Sequence, residues 1–188
     1  MAADLWPGEG KDRKRFVELW SMYAPAKYAP NRISVPLLVD RLDQTQRRAE
    51  AEALRASRPG MFGPGGDSRV LVANDVDQTE LQISALSPSP PLKDIRRCSY
   101  GFVFYEHVRS AIVHEFHFGP KAVGTPMTDR PADVSYSNVL DRHTLARHRR
   151  IHFHLSWLLT VVDDVALAIE PIVMTAKPPE PAKWWIEG

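Results

Sequence analysis

Hydrophobic and polar positions change their rhythm part way along the chain. In the first 60 residues the spacing is helical. Phe16, Leu19, Trp20 and Tyr23 fall at i, i+3, i+4 and i+7, which puts four large side chains on one stripe of a helix from about Asp12 to Ala24. Pro25 ends it. Ser34 is a good N-cap and Pro36 is tolerated in a first turn, so a second helix is predicted from there to about Ser57. Leu37, Leu38 and Leu42 give its first half an apolar side. Beyond them Ala49, Ala53, Leu54 and Ala56 form only a shallow face, suited to solvent or a partner, and Asp43 with Arg47 and Arg48 with Glu52 stand at ion-pair spacing.

Residues 59–66 read PGMFGPGG and carry no regular element, which makes them the best boundary in the chain. They are not a phosphate loop, because Gly66 is followed by Asp67, Ser68 and Arg69 rather than by Lys and a hydroxyl residue. After them the period turns to two. Arg69–Ala73 and Gln78–Leu86 read as a hairpin, Ser87–Pro91 as a stiff extended connection, and Tyr100–Tyr105 and Ile112–Phe118 as two strands, with one helix from Phe104 to His117 as the rival reading. A short polar helix is predicted from about Asn138 to Arg149. Ile151, Phe153, Leu155, Trp157, Leu159 and Val161 then alternate as a strand. Asp163-Asp164 would turn it, and Val165–Thr175 would pair back at an edge because of Pro171. A single helix ending at Pro171 is the competing possibility, since the run is apolar almost all round. The pattern as a whole predicts an α+β fold, with N-terminal helices followed by a mainly antiparallel β-sheet. It divides the chain into a helical region 1–58, a mainly antiparallel β region with a short helix 67–176, and a Pro/Trp tail 177–188.

Composition narrows the class further. With 188 residues, 44% of them apolar, the chain is long enough to bury a core without metal or disulfide. Its single cysteine, Cys98, cannot form an internal disulfide, and Met1–Gly10 lacks the apolar stretch of a secretion signal, so a cytoplasmic location is expected. Leu155–Met174 has the length of a membrane span but contains Asp163, Asp164 and Glu170, which favours a buried core and no membrane contact. The net charge of +1 gives no bulk attraction to nucleic acid, while residues 93–159 carry a local excess of +4.

The candidate chemistry lies mostly in that segment. His152 and His154 are two apart, so on a strand both rings would share a face, as zinc or iron ligands do; His114 or His117 would supply a third ligand. Arg142, Arg147, Arg149 and Arg150, with His143 and His148 among them, would make a compact surface for phosphates if helical, although no nucleic-acid motif accompanies them. Cys98 next to Arg96 and Arg97 has cations that would favour a thiolate, but no fixed His partner, and so reads as inert. Met61 and Phe62 in the Gly/Pro loop and Trp184 and Trp185 in the tail are apolar where the chain is least able to cover them, and are expected to dock on another surface. These features favour a non-enzymatic interaction or assembly protein with a protein partner or self-association. A histidine-ligated metalloenzyme and a polyanion-binding or nucleic-acid-binding regulator are the alternatives.

Overall fold

The computed structural model describes residues 6, 8, 12–28, 32–58, 70–109, 121–123, 133–140, 147–175 and 178–187. The fold is α+β, with helices first and a mainly antiparallel sheet after them. Helix α1 (Asp12–Tyr23) is followed by a 3-10 turn at Ala26–Tyr28 and by strand β1 (Arg32–Ile33). Ser34 then caps α2 (Val35–Gln44): its side chain accepts the Leu37 N–H at 3.4 Å, and Pro36 sits in the first turn as expected. The predicted long second helix is in fact two. Gln46 adopts a left-handed φ of 59°, the Arg47 N–H reaches back to the Leu42 carbonyl and the Gln46 N–H to that of Asp43, which is the Schellman pattern of a helix end. Helix α3 (Arg48–Ser57) starts afresh and buries only Ala51 and Leu54, the shallow face its composition implied. Its ion pairs differ from the expected ones: Arg47 binds Glu50, and Arg55 binds Asp43 and Glu52. The Gly/Pro loop with Met61 and Phe62 lies outside the described residues.

The hairpin expected at residues 69–86 is replaced by short alternating pieces: β2 (Leu71–Val72), α4 (Ala73–Val76), β3 (Gln78–Thr79) and α5 (Glu80–Ser84). What turned the chain helical at Glu80 is a capping box, in which the Thr79 hydroxyl accepts the Gln82 N–H and the Gln82 side chain accepts the Thr79 N–H at 2.9 Å. Helix α6 (Leu92–Arg97) follows the proline run, and α7 (Tyr100–Phe104), capped by Ser99, continues into a π turn at Tyr105–Arg109. A strand over Tyr100–Tyr105 is therefore overturned, because Ser99 accepting the Phe102 N–H satisfies a helix start that alternation alone conceals. The second half of that expected pair, 112–118, falls outside the described residues, with His114 and His117.

The sheet runs in the order β2-β5-β6-β4, with β4 (Ala122–Val123), β5 (Val134–Leu140) and β6 (Arg147–Phe153). β5 pairs antiparallel with both β2 and β6, while β4 lies parallel to β6. The short helix predicted from Asn138 to Arg149 is overturned, since its two ends are opposite strands, Asn138 facing Arg149 across the ladder. The long hairpin Ile151–Thr175 is overturned as well. β6 stops at Phe153, and α8 (Leu155–Thr175) runs unbroken through Asp163-Asp164 and past Pro171. The His154 carbonyl accepts the Leu158 N–H, so the helical ladder begins one residue after the strand ends.

Leu71, Ala122, Val134, Tyr136, Ile151 and Phe153 form the sheet's contribution to a core that also takes Leu38 and Leu42 from α2, Leu54 from α3 and Trp157 and Val161 from α8. An aromatic cluster joins α1, α7, β6 and α8. Trp20 stacks on Phe104 at 5.8 Å, and Phe153 stacks on Trp157 at 6.0 Å. The same core is tied by one carboxylate. Asp77, fully buried, accepts the Tyr100 hydroxyl at 2.5 Å, the Tyr136 hydroxyl and the Val35 N–H at 3.0 Å, so α2, α7 and β5 converge on it. Burial outweighs those bonds and pushes its pKa up to about 7.

A second, smaller core takes Leu19 from the α1 stripe, together with Trp6, Val17, Ile169, Trp184 and Ile186. The tail is not simply extended: a 3-10 turn at Trp185–Glu187 folds it onto α1. Trp6 meets Trp184 edge-on at 5.5 Å and donates to the Pro179 carbonyl at 3.0 Å, and the Trp185 N–H donates to Glu18 at 2.7 Å.

Candidate functional site

Those residues singled out from the sequence that the structure describes lie on several elements. His152 is buried on β6, with its Nε2 2.6 Å from the Ser137 hydroxyl. His154 has left the strand, and its backbone N–H donates to the Asp133 carbonyl at 3.0 Å while its Nε2 is buried without a partner among the described residues. The strand that would have given the two rings a common face ends at Phe153, between them. Among the described residues no three His, Cys, Asp or Glu side chains stand close enough to hold a metal. Arg149 and Arg150 occupy successive positions of β6 and so point to opposite faces. Arg149 is buried beside Asp40, and Arg150 is half-buried. Arg142 and the side chain of Arg147 lie outside the described residues. Cys98 is buried, and burial pushes its thiol up to about 12, so it is a neutral wall group. Trp184 packs within its own chain, and Trp185 lies under the Arg96 guanidinium at 4.9 Å.

The surface that does stand out belongs to α8. On its inner side Trp157, Leu158, Val161 and Ile169 are buried. Its outer side leaves Leu159, Val162, Leu167 and Met174 exposed by 57%, 49%, 65% and 81%, an apolar load that a helix facing only water does not carry. At 3.6 residues per turn, Val162, Ala166 and Leu159 border the packed side, Asp163 and Glu170 form the next row, and Leu167 and Met174 lie beyond it. Between α1 and α8 runs an apolar cavity of about 160 Å³, floored by Phe16, Leu19 and Trp20 and flanked by Val162, Val165 and Ile169. Met22, one turn along α1 from Leu19, is also exposed. Asp164 on the neighbouring side of α8 is engaged by Lys27 at 2.7 Å and by the Tyr28 hydroxyl at 2.7 Å, which holds its carboxyl below the usual range.

Reading the run 151–175 as two strands hid this surface. The signal that favours the rival helix is the absence of any Gly, Asn or Pro between Leu155 and Glu170. No described helix is long and apolar enough to cross a membrane. No family model, no curated protein and no solved structure matches this chain.

Proposed function

We propose that the chain is a non-enzymatic interaction protein that docks a partner protein along the outer side of α8. The observation that supports this reading is the exposure of Leu159 and Val162 on one side of Asp163 and Glu170, and of Leu167 and Met174 on the other, beside an apolar cavity. Asp163 and Glu170 in the middle of the surface bear on the kind of partner. An isologous pairing of two α8 helices would set these acids against their own copies, and like charges across a contact cost affinity. The better complement is a different chain offering an apolar segment with Lys or Arg between its apolar positions.

A photo-crosslinking side chain placed at Leu167, in the cells that make the protein, should give a discrete heteromeric adduct. The same group at Leu81, which is 80% exposed on α5 and away from this surface, should not. Reversing both acids, Asp163→Lys with Glu170→Lys, should remove the adduct without lowering the melting temperature. Equal patterns from residues 81 and 167 would overturn the reading.

A further inference from the structure

A cavity of about 290 Å³ lies between α1, α2, α6, α7 and the start of β4, and none of its lining belongs to α8. Four cations reach it: Arg13, Arg41, Arg97 and Lys121. Their counter-ions do not balance. Arg13 meets Glu106 at 3.3 Å and Arg41 meets Asp94 at 2.7 Å, so these two are spoken for. Among the described residues Lys121 has only Asp40 as an ion-pair partner, at a long 3.8 Å, and that carboxyl is shared with Arg149. Arg97 has no hydrogen-bond or ion-pair partner among the described residues.

The rest of the lining is mixed: Gln44, Cys98, His107 and the Arg13-bound Glu106 stand beside an apolar part. Leu37, Phe102 and Val103 give the cavity an apolar floor, and the Arg13 guanidinium lies over the Phe102 ring at 5.4 Å, which fixes one wall. An unmatched guanidinium and a loosely held ammonium over an apolar floor suit a ligand with an oxyanion head and a small flat body. Planar guanidinium groups bind carboxylate and phosphate alike, two N–H groups to two oxygens.

We propose that this cavity binds a small organic oxyanion, its carboxylate or phosphate head held by Arg97 and Lys121 and its ring or short chain resting on Leu37, Phe102 and Val103. The test is calorimetric titration of the full chain with phenyl phosphate, benzoate, inorganic phosphate and benzylamine. One of the two aromatic anions should bind at least tenfold more tightly than inorganic phosphate, and which of them does so assigns the head group. Benzylamine, of the same shape and opposite charge, should not bind. Arg97→Gln should weaken the favoured anion at least tenfold at an unchanged melting temperature, and Lys121→Gln should act in the same direction. No heat with either aromatic anion, equal binding of benzylamine, or undiminished affinity in Arg97→Gln would overturn the assignment.

Discussion

At the scale of single residues, Asp77 and Gly101 carry the most specific consequences. Because the folded pKa of Asp77 is raised to about 7, the folded protein keeps a proton that the unfolded chain releases near pH 4. The stability this group contributes is therefore whole below about pH 4, declines as pH rises, and is lost once pH passes about 7, a change on the order of 4 kcal/mol. Asp77→Asn removes the titrating carboxyl and keeps the side chain's size beside Tyr100 and Tyr136. Denaturation measured from pH 4 to pH 8 should show the variant gaining on the parent as pH rises, and parallel curves would contradict it. Gly101 is held against Trp20, where an added Cβ would stand 2.9 Å from Cγ. The Trp20 ring is itself pinned by Phe16, Phe104 and Trp157. Gly101→Ala should destabilise by about 1–2 kcal/mol, the strain exceeding the helix preference of Ala. Neither residue was legible beforehand, since one Asp among polar neighbours and one Gly among aromatics carry no periodic mark.

Among the elements, the reading succeeded where a chemical start or stop signal stood beside the pattern. Ser34 with Pro36 located α2, and Pro25 closed the region of α1. It failed where alternation was taken by itself. Thr79 and Gln82 spelled a capping box inside an apparently alternating stretch, and Ser99 capped a helix whose aromatic residues are equally at home in strands. Between α2 and α3 the stop was hidden for another reason: the left-handed position that ends the helix is filled by Gln46 rather than by the usual glycine. That position is strained for a side chain, so Gln46→Gly should raise stability by about 1 kcal/mol. A thermal or chemical denaturation midpoint checks it, and a lowered midpoint would mean that the Gln46 side chain has a compensating contact.

For the molecule as a whole, the helix-then-sheet order was visible in the switch of period, but the way the parts meet was not. The α1 stripe read as one face divides between two cores, Trp20 entering the larger and Leu19 the smaller. The smaller core depends on the tail. Trp184→Ala should cost about 3–5 kcal/mol and shift the emission of Trp6 to the red, as its ring loses the edge-on contact. Unchanged emission would show that Trp6 is covered by other groups. The bond from Trp6 to the Pro179 carbonyl joins positions 173 residues apart. On the ribosome the order of synthesis separates these two groups by that distance, and translation adds about 5–20 residues each second. The Trp6 ring, with Leu19 in the same cluster, lacks these partners for that interval, a window of seconds in which the growing chain offers apolar surface to chaperones before residues 179–186 can close over it.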